Sequence, residues 1–503
     1  MRKLKIVSIS SELDPFVKTG GLGDVARALP KSLHRLGHEV IAITPFYSRV
    51  IDIKKHNLKE VYADVLINID KKNSVKVSFW RGELMPGLPV YFVRCDKYFG
   101  KKKNIYVSSR ENARFYLFSV ATLKLISLLK FKADIIHCHD WHTGLIPYLK
   151  TTRFKDSQTL KNAATIFTIH NLTFQFGQNW WEVPVKLRDK GKLALPDFKT
   201  ASLNYINFAK RGIMYADAVN TVSETYAKEI LKKHFGQDLH RILMNRRHKL
   251  FGVVNGIDYY QYNPKTDNGL VKNYTVETIH RKIVNKRYLQ KLYQLPILDR
   301  TPLICLTSRL VEQKGFDLVI DVLPTLFLQD VQVIILGAGD KKYVQKLNKL
   351  AKNYADKLVV IPSHQEVLKR ETLVYAGSDF FLLPSRFEPC GINQLISFRY
   401  GCVPIVRATG GLSDTVINFD PKTDKKTQGN GFNFKNYKTD ELLVALTRAL
   451  ETYHHRQIWK DLIRRGMSAS FSWDLPARKY LELYKKASAR GGSASGGKIP
   501  LKK

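Results

Sequence analysis

Lys5-Ile6-Val7-Ser8-Ile9-Ser10, then Lys18-Thr19-Gly20-Gly21-Leu22-Gly23-Asp24, then apolar residues returning every three or four positions from Gly23 to Leu36, make up the stretch that decides the fold. A β-branched run, a glycine-rich loop and an amphipathic helix in that order read as a strand-loop-helix unit. Gly21 to Ala26 satisfies the G-x-G-x-x-[GA] string of a dinucleotide turn. The context does not fit: the strand ends well before Gly21, whereas a dinucleotide turn follows its strand directly. Glu39 opens the second strand, where a ribose-binding carboxylate belongs near its end. A Walker loop is excluded because Lys18 precedes the glycines. What remains is a loop able to bring backbone N–H groups and one ammonium to an anion.

Outward from this unit, the same alternation runs through the chain and predicts an α/β fold with parallel sheets. Strands are expected near Lys5 to Ser10, Val40 to Thr44, Asp134 to Cys138, Thr165 to Thr168 and Ala218 to Thr221. Helices are expected over Gly23 to Leu36, Glu111 to Leu129 and Asn204 to Tyr215, with a side hairpin at Val75 to Trp80 and Val90 to Arg94. A second series comprises Pro302 to Thr307, Val331 to Leu336, Leu358 to Ile361, Phe380 to Leu383 and Val403 to Val406. The 503 residues therefore read as two large domains, 1–250 and 251–475, a helix over 476–487 and a disordered tail over 488–503. Ligands of open α/β sheets bind at the carboxyl ends of the strands, and two such sheets predict a cleft between them.

Composition narrows the function classes. A net charge of +38 calls for an anionic partner or a lysine-biased solvated surface. No module interleaves the cations, among them Lys54-Lys55 and Lys101-Lys102-Lys103, with exposed aromatics, so specific nucleic-acid binding is not expected. No apolar run approaches the roughly 20 residues of a membrane span. Glu12 and Asp14 interrupt any signal-peptide core behind Met1-Arg2-Lys3. Five cysteines without a C-x-x-C pair point to a reducing compartment, with neither structural disulfides nor zinc.

Polar residues cluster just after the predicted strand ends. They are His139-Asp140-Trp141-His142, His170-Asn171, Asn255-Gly256, Arg309 with Lys314, Gly337-Ala338-Gly339-Asp340, Glu388-Pro389-Cys390-Gly391 and Thr409-Gly410-Gly411. Arg309 and Lys314 precede a helix starting near Gly315, so two cations and a helix dipole can clamp a diphosphate. Thr409-Gly410-Gly411 opens a helix after a strand and offers N–H groups and a hydroxyl to an anion. Glu388, before a helix start at Cys390-Gly391, can accept hydrogen bonds from sugar hydroxyls. His139 and His142 are capping residues or neighbours of the site, and no convergent ligand set makes them a metal centre. Cations, carboxylates and histidines together suggest a sugar diphosphate donor.

These residues also carry a resemblance. Lys18-Thr19-Gly20-Gly21-Leu22, His139-Asp140-Trp141-His142, Thr168-Ile169-His170-Asn171, Val254-Asn255-Gly256-Ile257-Asp258, Ser308-Arg309-Leu310 with Gln313-Lys314-Gly315, Pro384 to Gly391 and Thr409 to Val416 resemble, in order from Lys5 to about Tyr484, the bacterial glycogen synthase and plant starch synthase family. The resemblance implies a GT-B fold, two Rossmann-like domains with parallel sheets facing across a cleft and a C-terminal helix crossing back to the first. It implies transfer of glucose from ADP-glucose to the non-reducing end of an alpha-1,4-glucan (glycogen, starch or malto-oligosaccharides), with retention of configuration, no cofactor and no metal. Carried over by motif, Lys18, Thr19, Gly20 and Gly21 meet the donor phosphate, Arg309 and Lys314 stabilise the departing diphosphate, and Glu388 holds the donor glucose. Asp140 and His170 line the sugar site and Asn255 touches it. Thr409, Gly410 and Gly411 bind the terminal phosphate, and Gly337, His364, Cys390 and Gly391 complete the donor side. Glu12, Asp24, Asp140 and Trp141 fall on the acceptor side. A cytoplasmic enzyme is implied, or a stromal one if a transit peptide has been removed.

Two departures matter. Ser363-His364-Gln365-Glu366 stands where the family usually has an aromatic residue that stacks on the base, which leaves UDP-glucose open as the preferred donor. Thr173-Phe174-Gln175-Phe176-Gly177 differs from the family run after the His-Asn pair, on the acceptor side. A non-catalytic glucan-binding or initiation scaffold is the alternative from another class, and intact Lys18, Arg309, Lys314 and Glu388 speak against it. Oligomeric state is not legible in the sequence.

Overall fold

The computed structural model describes residues 2–100, 105–106, 111–422 and 428–492, with side chains to 489. The lysine run 101–103 and residues 493–503 of the expected tail lie outside the described residues. The chain divides into two compact units, one from the start to Asn255 together with the residues from Trp473 onward, the other Gly256–Ser472. Each has its own apolar core.

The first unit is built on one nine-stranded sheet. Its strands are β1 (Lys5–Ile9), β2 (Glu39–Pro45), β3 (Lys59–Asn68), β4 (Ser74–Met85), β5 (Leu88–Arg94), β6 (Ile135–His139), β7 (Ala164–Ile169), β8 (Ala218–Thr221) and β9 (Leu250–Gly252). Their order across the sheet is β3-β4-β5-β2-β1-β6-β7-β8-β9. The central strands are buried on both faces, which is why they read as continuous apolar runs. The hairpin expected at Val75 to Trp80 and Val90 to Arg94 forms, but within the main sheet rather than beside it. β4 and β5 pair antiparallel, β5 pairs in parallel with β2, and β3 extends the same sheet beyond them. The helix Glu111–Leu128 is buried nearly all round and forms the centre of this core. The helix expected over Asn204 to Tyr215 is broken into a 3-10 turn Ala201–Tyr205 and a helix Phe208–Tyr215, because Asn207 caps the latter by accepting from the Lys210 N–H at 2.8 Å.

The last helix, Asp474–Gly492, belongs to this unit and packs on β7, β8 and the helix Gly21–Arg35. It runs five residues past Ala487, so 488–492 are helical rather than tail. Alanines at 487 and 489 favour the continuation.

The second unit has a six-stranded parallel sheet of β10 (Leu303–Thr307), β11 (Gln332–Leu336), β12 (Leu358–Ile361), β13 (Phe380–Leu383), β14 (Val403–Arg407) and β15 (Phe432–Phe434), in the order β12-β11-β10-β13-β14-β15. β15 was not anticipated. In both sheets the chain order turns back at the centre, between β1 and β6 in the first unit and between β10 and β13 in the second. That switch point is where an open α/β sheet leaves a crevice for ligand. Among the described residues no helix is long and apolar enough to cross a membrane.

Candidate active site

In the first unit, chain leaving β1 and chain leaving β6 emerge side by side at the switch point. Glu12, after β1, is buried and organises the glycine-rich loop. Its Oε2 accepts from the N–H groups of Thr19 (2.6 Å) and Gly20 (3.2 Å), and its Oε1 accepts from the Thr19 hydroxyl and the Tyr106 hydroxyl, both at 2.6 Å. Glu12 is therefore an internal buttress of the loop, with both oxygens engaged by Thr19, Gly20 and Tyr106. The loop differs from expectation as well, since the N–H groups of Thr19 and Gly20 point at this carboxylate. Gly21 begins the helix that follows. Lys18 Nζ lies 2.6 Å from Asp24 Oδ1, so Asp24 is the counter-ion of the loop's lysine. Burial raises the Asp24 carboxyl above its ordinary value, with the Lys18 charge pulling the other way.

Asp140 follows β6 with φ 60° and ψ 176°, a conformation that costs a non-glycine residue roughly 1–3 kcal/mol and is typical of functional sites. Its N–H donates to Thr168 O (2.9 Å) and its Oδ1 accepts from the His170 N–H (2.8 Å), tying the ends of β6 and β7 together. Burial pushes its carboxyl up to about 7 despite the N–H groups of His170 and Asn171. His170 Nε2 sits 3.0 Å from His139 Nδ1, and burial lowers the His170 pKa to about 3, so the ring is a neutral hydrogen-bonding group. Trp141, expected on the acceptor side, is largely buried. It is 5% exposed and packs against Phe115, His142 and Phe208, because the 3-10 turn Trp141–Thr143 rotates it into the core. Asn255 is buried and its Oδ1 has no hydrogen-bond partner among the described residues, an acceptor suited to a ligand hydroxyl.

In the second unit, three motifs meet at the switch point. Lys314, on the 3-10 turn Glu312–Lys314 after β10, places Nζ 2.6 Å from Glu388 Oε2, which also accepts from the Ser385 hydroxyl at 3.0 Å. The Glu388 carbonyl accepts from the Gly411 N–H at 3.1 Å. Gly315 at φ 76° and Gly391 at φ 70° adopt left-handed turns that side chains disfavour. The helix after Gly391 begins only at Asn393, not at Cys390 as expected; Cys390 is buried in the turn. Asn393 Nδ2 donates to the Thr307 carbonyl (2.8 Å), fastening that helix to the end of β10. Thr409 is buried at the start of the short helix Gly410–Thr415. Arg309 is exposed and makes no ion pair among the described residues, leaving a guanidinium available to an anion. Gly337 lets the end of β11 approach β10: a Cβ there would lie 1.8 Å from Ser308 O.

His364 is exposed at the start of the helix His364–Gly377, whose N-cap Ser363 accepts from the Glu366 N–H at 3.2 Å. The segment that lacks the aromatic is thus a helix cap. Among the described residues no group of three or more His, Cys, Asp or Glu could hold a metal ion.

Sequence reading missed Tyr106, which no motif marks, and Ser385, which lay inside a quoted motif without a role. It also passed over His137, although His137 and His139, two apart on β6, share one face of the strand.

Two Rossmann-like units, each presenting charged residues at the switch point of a parallel sheet, define a GT-B glycosyltransferase. The fold recurs at low identity: a sucrose-phosphate synthase from Thermosynechococcus elongatus superposes with TM-score 0.59 at 16% identity, covering 97% of this chain and all of that one. Residues 5–245 match the starch synthase catalytic domain family and residues 291–465 match glycosyl transferases group 1. The glycogen synthase of Geotalea daltonii is 41% identical over 501 residues, 97% of this chain and 100% of the relative. The catalytic domain of starch synthase IV from Arabidopsis thaliana, solved bound to ADP and acarbose, has a TM-score of 0.85 at 32% identity, covering 97% of this chain and all of that one. The chain belongs to the glycogen synthase and starch synthase family, and it is a glucan synthase.

Proposed function

We propose that the protein extends an alpha-1,4-glucan by taking glucose from ADP-glucose with retention of configuration and without metal or cofactor. The observation that carries this reading is the Lys314 and Glu388 pair at the switch point, with the exposed Arg309 on the same loop. The C1–O bond to the diphosphate breaks, the acceptor 4-hydroxyl oxygen bonds to C1, and its proton leaves with ADP. Negative charge develops on the departing phosphate, where Arg309 and Lys314 stabilise it, the kind of electrostatic help that dominates such barriers. Glu388 then accepts from glucose hydroxyls. Thr409, Gly410 and Gly411 hold the terminal phosphate, and Lys18 and Gly21 supply the loop's part of the phosphate site. In the first unit neutral His170, Asp140 and the open Asn255 Oδ1 are groups that hydrogen-bond a sugar. The Arabidopsis starch synthase IV domain binds ADP together with acarbose, which supports adenosine as the nucleoside. Partners are therefore the nucleotide sugar and glycogen, starch or malto-oligosaccharides, with no specific nucleic acid. Five free, buried cysteines support a reducing compartment, which we take to be the cytoplasm, or the plastid stroma if a transit peptide has been removed.

Purified protein incubated with labelled ADP-glucose and glycogen should incorporate label into the glucan. No incorporation from either ADP-glucose or UDP-glucose would overturn the reading. The polar cap at Ser363 to Glu366, which offers a histidine but no Phe, Tyr or Trp to stack on a base, favours a second version in which UDP-glucose is the better donor. Competition of the two donors at equal concentration decides between them.

A further inference from the structure

Behind the sugar-site residues of the first unit lies a buried polar chain that the proposed reaction does not use. Tyr484, on the last helix, has its hydroxyl 2.8 Å from His137 Nδ1, and His137 Nε2 is 2.5 Å from the Thr168 hydroxyl. Thr168 donates to Asn220 Oδ1 at 2.5 Å, and Asn220 Nδ2 donates to the Tyr480 hydroxyl at 3.2 Å. All five side chains are fully buried. The directions are mutually fixed. Because Thr168 gives its proton to Asn220, its oxygen accepts from His137 Nε2–H, and His137 Nδ1 accepts from Tyr484. His137 is held as one neutral tautomer between the last helix and β7.

This chain ends on the site. The His137 ring lies 4.1 Å, centroid to centroid, from the His139 ring, and His139 Nδ1 bonds His170 Nε2. The Thr168 carbonyl accepts from the Asp140 N–H, and His170 is two residues further on. The two tyrosines thus reach, through one residue each, the strand ends that carry Asp140 and His170. Burying five polar groups is tolerable only when every one is paired, and a fully paired buried network fixes one arrangement. An apolar contact would seal the same interface without this constraint.

We infer that Tyr484 and Tyr480 are positioning residues for the sugar site, holding His139, Asp140 and His170 in register through His137, Thr168 and Asn220. The inference rests on the proposed role of Asp140 and His170. Tyr484→Phe removes one hydroxyl, leaves the ring packing intact and strips His137 of its proton donor. We expect its kcat in the glucan synthase assay to fall about tenfold with donor KM within twofold. In wild type, the imidazole nitrogen shifts of His137 should report the Nε2–H tautomer, and in the variant a mixture. Leu483→Ala, buried on the same helix and outside the network, is the control for destabilisation alone: it should lower the unfolding temperature at least as much and leave kcat within twofold at 20 °C below that temperature. Equal kcat losses in the two variants, or an unchanged kcat in Tyr484→Phe, would overturn the inference. A wild type that transfers no glucose but shows the Nε2–H tautomer would instead count against the proposed reaction.

Discussion

Lys314 Nζ and Glu388 Oε2 are 2.6 Å apart, and this pair joins the loop after β10 to the loop after β13 before any donor arrives. Both side chains are largely buried, so each is the other's compensation for lost solvent. Lys314→Ala should therefore do two things. It leaves a carboxylate unpaired, which costs a buried site about 3–5 kcal/mol and a partly open one less, and it removes the cation facing the leaving group. We expect kcat to fall by about 100-fold or more, with a lowered unfolding temperature. Glu388→Gln keeps an acceptor for Ser385 and should lose turnover with a smaller thermal shift. Turnover assays and thermal melts of both variants separate the effects; a Lys314→Ala variant with wild-type kcat would show that the clamp lies elsewhere.

Asp140 gives a pH signature. Its ordinary value is 3.8 and burial raises it to about 7 in the folded chain. Between those values the folded state binds more protons at this site than the unfolded state does, so stability from this site falls as pH rises and the full penalty is present above about 7. Asp140→Asn keeps an oxygen for the His170 N–H and removes the titration. The variant and wild type should melt together at pH 4, and the variant should gain progressively through pH 7 and then level off. A stability difference that does not change with pH would contradict the assignment, as would an Asp140 carboxyl titrating near 4 by carbon NMR.

Much of this architecture is legible in the order of residues alone. The central strands show as largely apolar runs because both their faces are buried, and the switch-point residues come in the loops that follow those runs. β3 does not show, since Lys59–Asn68 is an edge strand with mostly exposed side chains, and the alternation of Val61, Ala63, Val65 and Ile67 is interrupted in the sheet by register shifts between Glu60 and Val65. The break at Asn207 is legible as a cap signal but is masked by the periodicity around it. Contacts made inside irregular loops are out of reach. Nothing in the order of residues 12 to 24 says that Glu12, rather than a ligand, takes the N–H groups of Thr19 and Gly20. The bond from His137 to Tyr484 spans 347 positions, far beyond any pattern of local spacing.

Glu12 supplies the third expectation. Its carboxylate accepts four hydrogen bonds from Thr19, Gly20 and Tyr106. Glu12→Gln turns one acceptor oxygen into an amide donor facing other donors, so at least one of those bonds must be lost and the loop released. We expect the donor KM to rise about tenfold while the unfolding temperature moves little, since the loop lies at the unit's surface. Thr19→Val, which removes one of the same bonds from the other side, should give a smaller change in the same direction. Donor KM values at wild-type level in both variants would show that the loop's shape does not matter for donor binding.

Gly410 supplies the fourth. It has φ 47°, and a Cβ placed on it would sit 1.9 Å from the Glu388 carbonyl oxygen. That oxygen belongs to backbone and cannot swing away as a side-chain tip would. Gly410→Ala must therefore shift either the start of the helix Gly410–Thr415 or the turn that carries Glu388, and it adds the strain of a left-handed alanine, roughly 1 kcal/mol or more. Either shift separates Glu388 from Lys314 or draws the Gly411 N–H off the Glu388 carbonyl. The expected outcome is a soluble protein with glucan synthase turnover reduced by 100-fold or more. Gly269→Ala is the comparison, because the nearest atom to its Cβ would be a side-chain carboxylate oxygen of Asp267 at 3.1 Å, away from the candidate site residues, and it should retain wild-type turnover. A Gly410→Ala enzyme as active as the Gly269→Ala one would mean that the backbone junction between the two motifs tolerates movement that the Lys314 and Glu388 geometry is argued to forbid.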